Sequence, residues 1–306
     1  MKNIEILSTG SYIPKKIIKN NQFNNIEKGY IEKRTGIQTR YYVEDETHIS
    51  MSVQASIKAI EKAKINPQQI DFIIVATTTT SNLMPGISYL VQKELKIKKS
   101  MCLDILAGCN GYINAFDIAR NYILIGKVKK ALIIGVDILS KCIDKDDIGT
   151  SIMLSDGAGA TIIQETKDNK KYDSNIESDG ANSEILTCNT NSKIYMNGIA
   201  IYKYAVTQTV INIQSLLKQN NENIENIKYI IPHQSNMKII NAIATRLGIK
   251  KEKMYVNINK VGNTFCASIP IALNEMFDKQ LIQKGDKIIL LGYGGGLNTG
   301  SILMEV

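Results

Sequence analysis

Both halves of the chain repeat one order of apolar segments, and this repetition limits the possible folds more than any other feature. In the first half, IDFIIVATTT, MCLDILAGCNGYINAFDIA and KALIIGVDIL follow one another, with a helical pattern between the first two. In the second half, the matching segments are IKYIIPHQSN, MYVNINKVGNTFCASIPIALNEMF and KIILLGYGGG. Each half therefore predicts the order strand, helix, strand, turn, helix, strand. Such a long matching order favours an internal duplication over a chance likeness between α/β units.

Short runs of β-branched residues alternate with helical patterns along the whole chain. Several of these runs are almost continuously apolar, which is typical of strands covered on both faces. The alternation predicts an α/β fold with sheets flanked by helices. The strand candidates are Ile4–Leu7, Phe72–Ala76, Met101–Ile105, Ala131–Val136, Ala158–Ile163, Ile199–Tyr202, Tyr229–Ile231, Tyr255–Ile258, Lys287–Leu291 and Ser301–Met304. The helix candidates are Met51–Ala63, Gly111–Ile125, Val206–Lys218, Met237–Leu247 and Ile269–Leu281.

A polar stretch between about Glu165 and Asn175 separates the two halves. The chain has 306 residues, which suffices for two fused units of roughly 150 residues each. We therefore predict an N-terminal half at residues 1–165 and a C-terminal half at residues 166–306.

The composition restricts the compartment and the partners. The 37 Lys and Arg residues exceed the 29 Asp and Glu residues, and a net charge of +8 suits an acidic protein, an anionic cofactor or nucleic acid. Nucleic acid is disfavoured, because no basic stripe is interleaved with aromatic residues. Five scattered cysteines without a Cys-x-x-Cys pair indicate a reducing compartment and argue against disulfides or a thiolate zinc site. The chain shows neither a signal peptide nor the roughly 20 apolar residues of a membrane helix, so we expect a cytoplasmic protein without membrane association.

Three reactive residues follow predicted strands. Cys109 comes after CLDI, His233 after KYIIP and Asn263 after YVNINKVG. Open α/β sheets bind ligands beyond the carboxyl ends of their strands, so two facing halves can bring these side chains together. Cys109 also stands at the start of a predicted helix, where a thiolate is stabilised and its pKa is lowered. The alternative for Cys109 is a buried core thiol, which is what we expect of Cys102, Cys142, Cys188 and Cys266.

The two histidines receive different interpretations. His233 follows a predicted strand and is followed by a polar cluster, Gln234 to Asn236, that opens a helix, and this context leaves two interpretations open, a catalytic residue and a satisfied structural histidine. His48 lies in the polar stretch VEDETHIS and is interpreted as a solvated or helix-capping residue without a role. One such histidine without clustered carboxylates offers too few ligands for a metal site.

The glycine-rich segment Gly292–Gly296 ends the last long strand but is not followed by a helix, as a dinucleotide fingerprint requires. A loop of backbone N–H donors, useful as an oxyanion hole, fits better.

Taken together, DILAGCNGY, IPHQSN, KVGNTFCASIP and GYGGG resemble the β-ketoacyl-acyl-carrier-protein synthase III enzymes of the thiolase superfamily. The resemblance runs from end to end and includes RTGI, VATTTT, SDGAGA, SDG and MNGIAIYKYAV in the same order. It implies a thiolase-like fold of two duplicated α/β halves in αβαβα layers. It also implies a catalytic triad of Cys109, His233 and Asn263, with an oxyanion hole at Cys109 and Gly295. The implied reaction is acyl transfer to the cysteine and decarboxylative condensation with malonyl-acyl carrier protein, by a homodimer without metal or cofactor.

The same resemblance places the substrate contacts. Arg34 matches a phosphate contact and Asn236 a polar residue at the tunnel mouth. Tyr30 and Ile148 stand where relatives carry the tryptophan and arginine that clamp the coenzyme A adenine, which implies weaker coenzyme A binding. Met84 matches the residue inserted across the dimer interface. It would form a flexible acyl pocket with Leu139 and Leu154. The residues matching the carrier-protein patch are Lys203, Lys238 and Arg246.

Two alternatives stay open at this point. The altered adenine clamp is compatible with an acyltransferase that passes the acyl group from Cys109 to an amine or hydroxyl. A non-catalytic partner subunit is the second alternative, and the intact Cys109, His233 and Asn263 argue against it.

Overall fold

The described residues of this computed structural model are 3–24, 26–80, 82–144, 146–189 and 192–306, and they form thirteen strands and nine α-helices. The strands are β1 (Asn3–Tyr12), β2 (Lys16–Lys19), β3 (Thr39–Tyr42), β4 (Phe72–Ala76), β5 (Met101–Ile105), β6 (Lys130–Asp137), β7 (Gly157–Thr166), β8 (Tyr172–Ser178), β9 (Leu186–Thr187), β10 (Tyr195–Met196), β11 (Tyr229–Pro232), β12 (Lys287–Gly294) and β13 (Asn298–Glu305). The helices are α1 (Tyr30–Thr35), α2 (His48–Ala63), α3 (Ile87–Glu94), α4 (Gly111–Leu124), α5 (Ile148–Ser151), α6 (Gly198–Gln219), α7 (Met237–Leu247), α8 (Ile258–Val261) and α9 (Ser268–Asp278).

Two mixed sheets hold most of the strands. The first has the order β1-β7-β6-β4-β5, and the second has the order β11-β12-β13-β8. Strand β4 pairs in parallel with β5 and β6, and β11 pairs in parallel with β12. Strands of the first sheet end at Thr166 and those of the second begin at Tyr172. The division of the chain into halves at residues 165 and 166 stays a prediction.

Three layers of helices enclose the two sheets. Helices α4 and α9 pack between the sheets in one shared core. Helices α2 and α3 cover the outer face of the first sheet, and α6 and α7 cover the outer face of the second. The result is the αβαβα arrangement that the family resemblance implies.

The strands owe their continuous apolar sequence to this layering. In β4, Phe72 and Ile74 pack against the central helices, while Ile73 and Val75 pack against α2 and α3. Since successive side chains of a strand point to opposite faces, a strand between two helical layers is apolar at every position.

Two predicted strands are wrong. Ile199–Tyr202 belongs to the first turns of α6, because the Asn197 side chain caps this helix by accepting the Ala200 N–H at 3.1 Å. Residues Tyr255–Ile258 form no strand. The Tyr255 N–H donates to the Ile230 carbonyl of β11 at 2.9 Å, but beyond this point the Gln234 side chain, not β11, takes the hydrogen bonds of the segment.

The Gln234 side chain forms hydrogen bonds with both the N–H groups and a carbonyl group of residues Tyr255–Ile258. Its Oε1 accepts the N–H groups of Asn257 and Ile258 at 3.0 and 3.1 Å, and its Nε2 donates to the Tyr255 carbonyl at 3.0 Å. The counterpart of β5 in the second sheet is therefore reduced to one parallel bridge, between Met254 and Ile230, and the two halves are less alike than the sequence predicts.

The cysteines outside the turn at Cys109 also differ from expectation. Only Cys266 is a buried core thiol, while Cys102 and Cys142 are half-buried and Cys188 is exposed. Cys188 follows the short strand β9 at the molecular surface, where no core layer covers it.

Among the residues that the structure describes, the longest helix is α6 at 22 residues, and no helix combines the length and apolarity needed to cross a membrane.

The buried carboxylate of Asp137, at the end of β6, ties both halves together. Its Oδ1 accepts hydrogen bonds from the N–H groups of Thr78 and Thr79 at 2.7 and 3.0 Å. The hydroxyls of Thr77, Thr78 and Thr79 donate to the same oxygen. The Oδ2 atom accepts the N–H of Cys266, from the C-terminal half, at 3.0 Å. One side chain thus fixes the end of β4 and the turn before α9.

We expect Asp137→Ala to lower the free energy of unfolding by about 3 kcal/mol, because it leaves several buried donors without an acceptor. Urea titration followed by circular dichroism measures this change. Asp168→Ala removes an exposed carboxylate of a surface ion pair and is the matched control. A loss for Asp137→Ala no larger than that of the control would contradict the prediction.

Candidate active site

Cys109 lies in a tight turn between β5 and α4. Residues Gly108–Asn110 form one 3-10 turn, and Gly108 has a φ of +55°, which favours glycine. A Cβ atom on Gly108 would lie 2.3 Å from the Gly295 carbonyl oxygen. The turn therefore depends on glycine both for its backbone conformation and for the close approach of the second half. Cys109 itself is 3% exposed.

Two backbone donors converge on the thiol. The N–H groups of Cys109 and Gly295 both lie close enough to the Cys109 sulfur to favour its charged form. A Cβ atom on Gly294 would lie 2.9 Å from the same sulfur, so the end of β12 is pressed against the nucleophile. This arrangement can stabilise an oxyanion that develops on a group bonded to Cys109.

The expected lowering of the Cys109 pKa is wrong. Burial raises the pKa of the Cys109 thiol well above its usual value, and the Asp137 carboxylate raises it further. The N–H groups of Gly295 and Cys109 offset only part of this rise. Desolvation outweighs the helix terminus here because the side chain is almost fully enclosed. The resting side chain is a neutral thiol.

His233 follows β11 and is buried. Its Nδ1 lies 2.7 Å from the Ser268 hydroxyl, whose oxygen accepts the Gln234 N–H at 3.3 Å. We assign the hydroxyl proton to Nδ1, which places the imidazole proton on Nε2. Burial lowers the pKa of His233 to about 3, so the ring is neutral near pH 7. A neutral ring in this tautomer is a hydrogen-bond donor at Nε2.

Asn263 is held by the backbone on both sides of its side chain. Its N–H donates to the Met153 carbonyl at 3.0 Å, and its carbonyl accepts the Ser155 N–H at 2.8 Å. The side-chain Oδ1 accepts the Phe265 N–H at 3.1 Å. With its acceptor occupied, the Asn263 amide offers its Nδ2 hydrogens to a ligand.

Phe265 is the common neighbour of the three predicted catalytic residues. Its ring is 8% exposed and packs in one apolar cluster with Cys109. It meets the His233 ring edge-on, with 6.5 Å between the centroids, and its N–H holds Asn263. The structure thus brings Cys109, His233 and Asn263 around a single side chain, although Asn263 follows helix α8 rather than a strand.

A cavity of about 630 Å³ leads from the surface to Asn263. Polar and basic side chains line part of it, among them Arg34, Asn236 and Lys238. The remaining lining is largely apolar and aromatic, with Tyr195, Ile199, Tyr202, Met153 and Ile239.

A second cavity of about 260 Å³ also includes Arg34 in its lining. Tyr30 and Ile148 line it too, and the Arg34 guanidinium lies 5.8 Å from the centroid of the Tyr30 ring. The structure therefore places these three predicted contacts together.

The predicted acyl pocket is divided in this single chain. Leu139 and Leu154 are buried in the apolar cluster that contains Cys109. Met84 lies apart from them and is 91% exposed.

The three predicted carrier-protein contacts lie on α6 and α7. Lys203, Lys238 and Arg246 are exposed, and Arg246 donates to the Thr207 hydroxyl at 3.3 Å. None of the three forms an ion pair with another of the described residues.

Known proteins resemble this chain over its whole length. The family model described as 3-oxoacyl-[acyl-carrier-protein (ACP)] synthase III matches residues 103–180, and the model of its C-terminal part matches residues 217–306. A β-ketoacyl-[acyl-carrier-protein] synthase III from Clostridium acetobutylicum is 37% identical, with 100% of this chain and 99% of the relative covered. This chain belongs to the β-ketoacyl-acyl-carrier-protein synthase III family.

Other relatives agree with this assignment. A β-ketoacyl-[acyl-carrier-protein] synthase III from Clostridium botulinum (strain Kyoto / Type A2) is 41% identical over 99% of this chain and 98% of the relative. The crystal structure of 3-oxoacyl-[acyl-carrier-protein] synthase III from Aquifex aeolicus VF5 superimposes with a TM-score of 0.96. That structure is 36% identical and is covered to 100%, against 99% of this chain. The chain is thus an acyl-transferring condensing enzyme with a thiolase-like fold.

The interpretation of His48 as solvated or capping is wrong for this synthase III family member. His48 is the first residue of α2, after the N-cap Thr47, and it is buried. Its Nε2 lies 2.9 Å from the Thr79 hydroxyl, which donates to Asp137. Burial lowers the pKa of His48. His48 therefore supports the Asp137 network as a neutral side chain.

Sequence reasoning missed three residues of this synthase III site. Ser268 orients His233, Phe265 packs beside the predicted catalytic residues, and Asp137 fixes the turn at Cys266. All three stand in or beside quoted motifs, but no local pattern marks a serine or phenylalanine for such a contact. Within the described part of the chain, no three His, Cys, Asp or Glu side chains gather in a group that could hold a metal ion.

We expect Gly294→Ala to slow alkylation of Cys109 by iodoacetamide at least tenfold, because the added methyl group would crowd the sulfur. Peptide mass spectrometry measures the rate at this cysteine. Gly180→Ala is the matched control, since its Cβ would have no neighbour within 4 Å. Equal rates for the two variants would show that Gly294 does not bound the approach to the thiol.

Proposed function

We propose that Cys109 takes an acyl group from a thioester and that the enzyme condenses it with malonyl-acyl carrier protein to a β-ketoacyl product. The observation that carries this proposal is the convergence of the Cys109 and Gly295 N–H groups on a thiol beside His233 and Asn263. We place the reaction in the cytoplasm.

The first step is acyl transfer. The Cys109 sulfur adds to the thioester carbonyl, the new carbon–sulfur bond forms, and the departing thiolate leaves with the proton of the Cys109 thiol. The N–H groups of Cys109 and Gly295 stabilise the tetrahedral oxyanion, each by roughly 3 kcal/mol. Covalent capture divides one difficult reaction into two easier steps.

The second step is decarboxylation followed by carbon–carbon bond formation. Nε2–H of His233 and Nδ2–H of Asn263 donate to the malonyl thioester oxygen as the carbon–carbon bond to the carboxylate breaks. Carbon dioxide leaves, and the electron pair remains as an enolate. The enolate carbon attacks the acyl carbonyl, and the Cys109 sulfur leaves and regains a proton. These steps use only thiol, imidazole, amide and backbone groups, and we propose no metal or cofactor.

The thioester-bearing end of the substrate enters through the cavity that ends at Asn263. Arg34 and Asn236 line this cavity, where Arg34 can bind a phosphate and Asn236 can form hydrogen bonds with amide groups of the substrate. Ile148 stands where the arginine of the adenine clamp is expected, and it offers no planar cation opposite Tyr30. We therefore expect coenzyme A to bind about 1 to 3 kcal/mol more weakly than it would with a complete clamp. We therefore propose a carrier other than ordinary short acyl-coenzyme A as the acyl donor.

The homodimer is proposed from the exposed apolar edge of the first sheet. Strand β5 is the edge strand. Leu83 and Met84 are almost fully exposed, and Leu106, which follows β5, is exposed as well. An uncovered edge with apolar side chains favours association with a second copy. Met84 would then complete the acyl pocket of the partner subunit.

Cys109→Ala is expected to abolish the acyl adduct, and Asn263→Ala is expected to keep it. Asn263→Ala should lower malonyl-dependent release of carbon dioxide about a hundredfold, because one enolate donor is lost. Intact-mass spectrometry measures the adduct, and ¹⁴C-carboxyl release measures decarboxylation. An adduct that persists in Cys109→Ala would refute the assignment of Cys109 as the nucleophile.

The same assay separates condensation from simple acyl transfer. Turnover of the acyl adduct on an amine or hydroxyl acceptor, without carbon dioxide release, would favour the acyltransferase.

Reversing the charge at two of the three exposed cations tests whether this surface binds the carrier protein. Lys238→Glu with Arg246→Glu should raise the KM for malonyl-acyl carrier protein about tenfold at low salt, with kcat little changed. Lys127→Glu with Lys129→Glu, which reverses the charge of two exposed lysines in the first half, is the control. An equal effect of both changes would mean that net charge, rather than this surface, recruits the carrier protein.

A further inference from the structure

Phe265 occupies apolar space directly beside the nucleophile. Its ring packs in a cluster with Cys109, Leu139 and Leu154, and Ile143 and Ile194 complete that cluster. The cavity that reaches Asn263 is lined by neither Cys109 nor Phe265. Side chains of the protein itself enclose the thiol, which is 3% exposed.

The backbone holds Phe265 in this place against its own preference. Its φ is +44°, a left-handed conformation that bulky residues rarely adopt. Such a conformation persists only where the surroundings determine it. The Phe265 N–H donates to Asn263 Oδ1, and the Thr264 carbonyl accepts the Ala267 N–H in the same turn. The direction of the ring is thereby fixed by the turn that also presents Asn263.

We propose that Phe265 is a specificity-determining residue that limits the length of the acyl group on Cys109. The ring occupies the place that the third and later carbons of an acyl chain need, while an acetyl group fits beside it. This inference rests on the proposed function in one respect, namely that Cys109 carries the acyl group.

Changing Phe265 to alanine removes the ring and keeps the N–H that holds Asn263. The Phe265→Ala enzyme is therefore expected to gain long-chain substrates without losing the oriented amide. The probes are acetyl- and hexanoyl-N-acetylcysteamine, which report on the acyl pocket without any carrier protein or coenzyme A. Intact-mass spectrometry measures the acylation rate of Cys109 for each.

We expect Cys109 of the natural chain to be acylated faster by the acetyl thioester than by the hexanoyl thioester. In Phe265→Ala, the ratio of the hexanoyl rate to the acetyl rate should rise at least tenfold. A single methylene in an apolar pocket already changes selectivity by about 10-fold or more. Phe265→Gly removes the same ring and also relieves the backbone, so it separates ring volume from strain. An equal rise of the ratio in the Ala and Gly variants supports the proposal, and a rise confined to the Gly variant overturns it.

Phe277→Ala is the matched control, because it truncates a phenylalanine of the central core away from Cys109. An equal shift in this variant would mean that general loosening, rather than the Phe265 ring, changes the selectivity. Phe265→Leu serves if the Ala variant does not fold. It should raise the ratio about threefold, since part of the ring volume is freed.

The failure of this inference differs from the failure of the proposed function. An unchanged ratio in folded Phe265 variants whose Cys109 is acylated overturns the length limit alone. Loss of acetyl transfer in those variants also overturns it, because the ring would then be needed for binding. No acylation of Cys109 in the natural chain, by either thioester, refutes both.

Discussion

The carboxylate of Asp137 is the point on which the geometry of the active site depends. It lies at the end of β6 and accepts hydrogen bonds from Thr77 to Thr79 and, across the molecule, from the Cys266 N–H. Asn263 and Ser268 lie on either side of Cys266 in the chain. The hydrogen bond from Cys266 to Asp137 therefore positions both residues of the second half relative to the first half. A buried polar network of this kind gives one defined arrangement, because each alternative leaves donors without acceptors.

Burial of Cys109 and His233 sets the protonation states of both side chains. Burial raises the pKa of Cys109 and lowers that of His233 to about 3, so both side chains are neutral at rest. A neutral imidazole with its proton on Nε2 suits the donation of a hydrogen bond to a developing enolate. In the proposed reaction, the neutral thiol loses its proton during attack, and the two N–H groups at the sulfur stabilise the negative charge that develops there. Preorganised donors in a dry site are more effective than the same groups in water.

Much of the fold could be predicted from the sequence because most strands carry a strong local pattern. Strands β4 and β5 match their predicted bounds, since strands between helical layers are apolar throughout. The prediction failed where a side chain took over backbone hydrogen bonds of a strand-like segment, as Gln234 does, or where a helix cap preceded an apolar run, as at Asn197. In both cases a single distant or capping contact overrode a short apolar pattern.

The sequence by itself determined the layered α/β fold and singled out Cys109, His233 and Asn263, because apolar periodicity and motif order are local properties of the chain. Only the tertiary structure decided the state of the thiol and the position of Phe265. Desolvation at Cys109 depends on residues from both halves, and the left-handed turn at Phe265 exists because Asn263 and the surrounding core hold it. Such effects arise from packing between segments far apart in the chain, which no local pattern encodes.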